Sequence, residues 1–453
     1  MNDHTGARNA SFWISWLSFI IIYCLAISSD YSHFSIDANI HAYNILHWKY
    51  NGASDLIIAE GAILYRLIHW LSAAVKPTFI LKIWWLLSNV CIICSVGAML
   101  WKLHKCKPAC AWSILFLNIG IFALYQLGYF TFWHRLDYCY MALASLATVS
   151  LAFLGSPHRL IRIASWLVLL VSLIHIPYAR NNAIVTLPLY CLAAVICGTS
   201  MSSWWKRISI AMAATLYLCG SMMLLMPIGN KPHACMMISD MKIASILNNE
   251  FDVKKSELNS IGYEICSCSD ASGENNLQLL CPEAFINSKT DADESALVEL
   301  YRTEWRRIPQ EMAMARAIQA VRFFCTGYVP KWVRSMVAWK YPRMSPDNPA
   351  WEWGHDAGAD TPVAVYFRPT VYCAAFLLLI WYACRVKRIS SIGRAALVTA
   401  AISFTYLLSF LVAVPSHDHR YHTPILFGMF CFFTLAMADK IGSGKARVKN
   451  DDV

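Results

Sequence analysis

Residues 395–439 read AALVTAAISFTYLLSFLVAV (395–414), Pro415, SHDHRYHT (416–423) and PILFGMFCFFTLAMAD (424–439). The two apolar stretches are each near the ~20 residues that carry a helix across ~30 Å of hydrocarbon. Between them stand His417, Asp418, His419, Arg420 and His422. A short connector between membrane helices has no need of this set. Ionisable groups at a bilayer boundary are costly unless they meet a partner or a substrate, so the octet marks a functional position as well as a fold class.

The same alternation of apolar runs and short polar links continues through the chain. Of 453 residues, 57% are hydrophobic and 15% charged, which departs from soluble composition and predicts a polytopic membrane protein. Ten spans are expected, near 11–29, 79–101, 110–128, 138–155, 163–177, 183–202, 208–228, 366–384, 395–414 and 424–439. The fifth is the shortest and is expected to be tilted, broken or re-entrant. The first has an apolar core at 12–27 and only Arg8 as a preceding basic charge, which favours a retained span over a cleaved signal.

With the N-terminus inside, Lys102, Lys105, Lys107, Arg159, Arg162, Lys206, Arg207, Arg385, Lys387, Arg388, Arg394, Lys440, Lys445, Arg447 and Lys449 all fall on the cytoplasmic side. Three of the facing short loops carry one arginine each, Arg135, Arg180 and Arg420. This asymmetry predicts a multi-pass membrane protein with both termini cytoplasmic. It also accounts for the net charge of +10 without any nucleic-acid partner.

Four regions follow: a membrane region at 1–228 with seven spans, an extracytoplasmic domain at 229–365, a membrane region at 366–439 with three spans, and a cytoplasmic tail at 440–453. The outer domain holds 18 of the 28 acidic residues and is expected to be of mixed or mainly helical structure. Helical spacing runs over 294–307 and 309–324, with Pro309 suited to a first helical position. Residues 55–75 carry apolar residues at helical spacing interrupted by Glu60, Arg66 and His69, predicting an interfacial helix. Most of the 17 cysteines lie in or beside spans, while Cys235, Cys266, Cys268, Cys281 and Cys325 lie in the outer domain, where two disulfides are expected.

The acidic residues outside that domain narrow the chemistry. Asp30, Asp37, Asp55, Glu60, Asp137 and Asp418 all fall in outer loops, and none is placed in mid-span, as a proton-coupled transporter would require. Asp37 leads as a general base for a hydroxyl, with Asp30 as the other first-loop choice and Asp137 as a third carboxylate. Arg180, Arg420 and Arg135, joined by His417 and His419, suit a lipid phosphate, because the guanidinium fork stays charged and binds phosphate oxygens in pairs. No metal ligand set and no cofactor motif is expected: the Cys266-Ser267-Cys268 spacing is not that of zinc, and no Walker loop, dinucleotide fingerprint or nucleophile elbow occurs in a suitable context.

This layout resembles the GT-C class of polytopic glycosyltransferases, in particular bacterial members related to protein-mannosyltransferases and O-antigen glucosyltransferases. Asp37 followed by 55–75 is similar to the class's first outer loop with its catalytic aspartate and interfacial helix. Residues 133–137 (WHRLD) resemble the second outer loop, Arg180-Asn181-Asn182-Ala183 an Arg-x-Asn-Ala stretch, and Arg420-Tyr421-His422-Thr423-Pro424 an Arg-Tyr-x-x-Pro element. The resemblance implies an all-α, GT-C-like bundle in a bacterial inner membrane and an inverting transfer of sugar from a polyprenyl-phosphate donor to a glycan or lipid acceptor of the cell envelope, such as lipopolysaccharide or O-antigen. The alternatives are a polysaccharide polymerase or ligase using a lipid-diphosphate donor, and a transporter or flippase.

Overall fold

The structure is a computed structural model that describes residues 3–28, 77–103, 135–179, 181–199, 203–225, 234–265, 286–288, 293–324 and 331–342, with isolated helical positions between 377 and 409. These residues are mostly helical. The chain divides into two compact units, one of Met1–Gly229 with Cys373–Leu407 and Arg420–Val453, the other of Asn230–Tyr372 with Leu408–His419.

The first unit contains α1 (Asp3–Ser28), α2 (Pro77–Leu103), α3 (Arg135–Phe153), α4 (Arg159–Ala179), a 3-10 helix (Asn181–Thr186), α5 (Leu187–Gly198) and α6 (Trp204–Leu225). Helix α3 packs against α2 and α4, and α5 against α6. These helices bury an apolar interior that includes Phe19, Ile92, Met99, Leu151, Leu173 and Leu187, and α1, α4 and α6 also leave large apolar side chains exposed. Leu160, Leu167, Val171, Trp205, Leu216 and Ile14 point outward, while Ser15, Ser88, Asn89, Ser145, Thr148, Ser172 and Thr215 are buried. Several of the buried hydroxyls bond back to their own helix, as Thr148 does to the Ala144 carbonyl at 2.9 Å and Thr215 to Ala211 at 2.8 Å.

Side-chain contacts join α1 to α2, among them the Phe12 and Trp101 rings, edge to face with centroids 5.1 Å apart. The Tyr23 hydroxyl donates to Asn89 Oδ1 at 2.7 Å in a buried setting, so this polar residue of the second expected span is satisfied by a neighbouring helix. The Trp16 indole N–H donates to the Ile93 carbonyl at 3.2 Å, and its ring lies over Gly97, where a Cβ would sit 2.6 Å from Trp16 Cε2. Only glycine permits that approach.

Two expectations are corrected here. The fifth span, expected to be short or broken, is the continuous 21-residue helix α4, and its stretch Arg159–Pro177 is the one among the described residues long and apolar enough to cross a membrane. The helix takes in Arg159 and Arg162 at its start, and Pro177, two residues before its end, has no N–H to donate to the residue 173 carbonyl. The sixth stretch does not begin as an α-helix. Pro188 has no N–H to continue a helical ladder from residue 184, and the chain runs as a 3-10 helix to Thr186, whose hydroxyl bonds the Ala183 carbonyl at 2.6 Å, before α5 starts.

Asp30, Asp37, the interfacial stretch 55–75, the third expected span, nearly all of the last three and the C-terminal tail lie outside the described residues. So do Cys266, Cys268, Cys281 and Cys325. Cys235 is described in backbone only, so the disulfide expectation falls outside the described side chains as well.

The second unit contains α7 (Ala234–Leu247), α8 (Phe251–Ser260), β1 (Tyr263–Ile265), β2 (Ile286–Ser288), α9 (Glu294–Arg307), α10 (Pro309–Phe324) and α11 (Lys331–Lys340). The strands pair antiparallel, with Glu264 opposite Asn287. Local chemistry explains the boundaries. Asn249 takes a left-handed turn with φ of 66° after α7, a conformation asparagine tolerates. Asp293 caps α9 by accepting the Ala296 N–H at 3.0 Å. Ile308, next to Pro309, leaves the helical region with φ −130° and ψ 62°, ending α9 just as proline opens α10.

The core is formed by Met237, Met241, Ile243, Leu258, Leu297, Met312, Ile318 and their neighbours. Two buried ionic groups cross it. Asp240 Oδ2 accepts from Tyr301 Oη at 2.8 Å and Arg316 Nε at 2.9 Å. Burial raises the Asp240 carboxyl above its ordinary value, partly offset by Arg316 and Tyr301. Glu304 meets Lys254 at 2.9 Å, with both side chains only 3% exposed, and also accepts two bonds from Arg307. Burial would raise Glu304, but the bonds from Arg307 and Lys254 outweigh it and hold the carboxyl below its ordinary value.

Removing one side of a buried pair leaves the other charge uncompensated. Glu304→Gln is expected to cost about 3 kcal/mol at neutral pH by thermal unfolding of the second unit. Because the folded pKa is lowered, the stabilisation is present above the ordinary glutamate value and lost as pH falls through the folded one, so the gap between wild type and variant narrows on acidification. In the first unit, Tyr23→Phe is expected to cost about 1 kcal/mol in the same measurement.

Candidate functional site

Arg135 and Asp137 occupy the first turn of α3, where their backbone is described. A carboxylate there also suits the positive end of a helix, which is the ordinary structural role for Asp137. Arg180 is outside the described residues, but both its neighbours are inside: Ala179 ends α4 and Asn181 begins the 3-10 helix. Arg420, His417 and His419 lie outside the described residues with Asp30 and Asp37.

The packing of α3 and α4 brings two of the expected connectors to the same end. The helices have 19 and 21 residues, are joined by residues 154–158 and pack along each other. The short link includes a turn in which the Ser156 N–H reaches the Phe153 carbonyl at 2.9 Å. Such a connection makes an antiparallel hairpin. The start of α3, with Arg135 and Asp137, therefore lies at the same end as Ala179 and Asn181. The 3-10 helix packs on α4 and α5, and α5 on α3, so that end of the unit is built from three consecutive elements.

Just inside this end the structure gathers tyrosines that sequence reasoning missed. Tyr140, in the second turn of α3, stacks on Tyr406 with ring centroids 4.7 Å apart and planes at 23°. Tyr190 lies in the first turn of α5, the helix that packs against α3. All three are buried. The Tyr190 hydroxyl has no hydrogen-bond partner among the described residues. Each is one of 21 tyrosines in an aromatic-rich chain, and no spacing in sequence marks it out. Only the α3–α5 contact and the ring stack reveal the group.

By backbone position this end carries the α3 start, whose sequence includes Arg135 and Asp137, and the 3-10 helix that begins at Asn181; Tyr190 of α5 has a buried hydroxyl without a hydrogen-bond partner among the described residues. Guanidinium groups suit phosphate oxygens, and a carboxylate suits a hydroxyl proton or a neighbouring arginine. Among the described residues no group of three or more His, Cys, Asp or Glu side chains is arranged to hold a metal ion.

An unpartnered buried hydroxyl contributes nothing to folding and costs its desolvation. Tyr190→Phe is accordingly expected to leave stability unchanged or raise it by up to about 1 kcal/mol, read by thermal unfolding of the purified chain. No family model matches this chain, nor does any curated protein or solved structure.

Proposed function

We propose that this chain is a polytopic inner-membrane glycosyltransferase that moves a sugar from a polyprenyl-phosphate donor to a cell-envelope acceptor at the outer face. What supports the reading is that the start of α3, which bears Arg135 and Asp137 in sequence, and the 3-10 helix that follows residue 180 lie at the same end of the α3–α4 hairpin. Membrane placement is supported by the apolar stretch Arg159–Pro177 of α4, long enough to cross a bilayer, and by the large apolar side chains that α1, α4 and α6 leave exposed. The ten-span count and the GT-C-like architecture belong to the same proposal.

In this mechanism Asp37 takes the proton of an acceptor hydroxyl. The hydroxyl oxygen forms a bond to the anomeric carbon on the face opposite the lipid phosphate, whose carbon–oxygen bond breaks and leaves its electron pair on the phosphate. Arg180, Arg420 and Arg135 stabilise the charge the phosphate gains, and Asp137 orients the acceptor or one of the arginines. The sugar is transferred with inversion. No metal or cofactor has a role in this scheme.

Membranes containing the chain are offered a polyprenyl-monophosphate sugar, a lipid-diphosphate oligosaccharide and a soluble solute. Consumption of the monophosphate donor alone is expected. Asp37→Asn should lower the rate about 10²-fold or more, and Arg180→Ala by a similar factor. A folded Asp37→Asn protein working at the wild-type rate removes Asp37 as base and leaves Asp30. Use of the diphosphate donor identifies a polymerase or ligase, and movement of the solute a transporter.

A further inference from the structure

Among the described residues between Ala234 and Lys340 the large apolar side chains left exposed are Val253, Trp332, Met336 and Trp339, and three of these four belong to the ten-residue helix α11. Trp339 is 88% exposed, Trp332 65% and Met336 63%. The same helix buries Val333 and Val337 in the core of the second unit, so it is apolar on two faces and packed on only one. At ~100° per residue, Trp332, Met336 and Trp339 fall within ~60° of arc, and Lys331 and Lys340 lie on either side of that stripe. Residues 331–340 contain no acidic residue.

We propose that the outward face of α11 is an interfacial anchor that seats the second unit in the head-group layer of a bilayer containing anionic lipid. Tryptophan favours this layer because its ring enters the acyl boundary while its N–H stays hydrated. Lysines flanking an apolar stripe lay their methylene stems along it and keep their ammonium groups at the phosphates. Lys340 is exposed, with its Nζ 5.3 Å from the centre of the Tyr341 ring and donating to Gln310 Oε1 at 3.1 Å. The charge pattern favours anionic lipid over a second copy of the chain. In a two-fold contact, antiparallel α11 helices would set Lys331 against Lys340, and parallel ones would set each lysine against itself, so either arrangement opposes like charges. The proposal is independent of the sugar transfer proposed above.

The test uses the full chain in lipid nanodiscs, with the photoreactive residue p-benzoylphenylalanine replacing Trp339, or, as a control, replacing the exposed Arg302 of α9. Adducts are weighed after illumination in anionic and in zwitterionic discs. Lipid adducts at position 339, well above those at 302 and strongest in anionic discs, are the expected result. The double charge reversal Lys331→Glu with Lys340→Glu should reduce them by ~5-fold or more with the unfolding temperature unchanged. Lipid adducts at 339 no more frequent than at 302, or adducts to a second copy of the chain or to another protein, overturn the proposal. Adducts insensitive to lipid charge and to the charge reversal overturn the anionic-lipid assignment.

Discussion

The first unit is governed by one constraint: α1, α4 and α6 leave large apolar side chains exposed, so apolar burial is incomplete on those helices. Close packing and a small number of polar contacts add to it. The α1–α2 pair contains both. Gly97 lets the Trp16 ring approach the backbone of α2, and the Tyr23–Asn89 bond fixes the pair at another level. The buried serines and threonines serve mostly to satisfy themselves against their own helices, which allows small polar residues to occupy helix contacts without seeking partners across them.

The interior of the second unit is methionine, isoleucine and leucine, and its buried charges are paired across elements, Asp240 of α7 with Arg316 of α10 and Lys254 of α8 with Glu304 of α9. These pairs give register more than net stability, because burying each charge offsets much of the attraction. The Asp240 group is only partly completed: its Oδ1 and Arg316 Nη1 are buried with no partner among the described residues. Helix α11 departs from the rest of the unit by exposing tryptophan, which is why its outer face calls for a lipid explanation and the remaining helices do not.

Much of the secondary structure was legible in the chain. Helices α9 and α10 have the limits expected from helical spacing and from Pro309, because both boundary signals are local: a carboxylate cap, and a proline that restricts the residue before it. The expected spans near 11–29, 79–101, 138–155 and 208–228 fall on helices α1, α2, α3 and α6. The extent of α4 was misjudged because arginines were read as loop, although a long side chain at a helix end can carry its charge away from the apolar stretch. The 3-10 start before α5 was missed because its cause, Pro188, was counted as one residue of an apolar run. Of the candidate site, the arginines and aspartates were visible as charged residues in apolar surroundings, whereas Tyr140, Tyr190 and Tyr406 were not.

Sequence alone determined the helical character, the boundaries set by proline, aspartate and asparagine, and the concentration of charge into a few connectors. These depend on interactions within a few residues, or on composition. The tertiary structure decided which connectors share an end, which polar side chains meet a partner and which apolar face stays uncovered. Those outcomes depend on helices far apart in the chain. Tyr23 meets Asn89, and Tyr140 meets Tyr406, only because packing sets one helix against another.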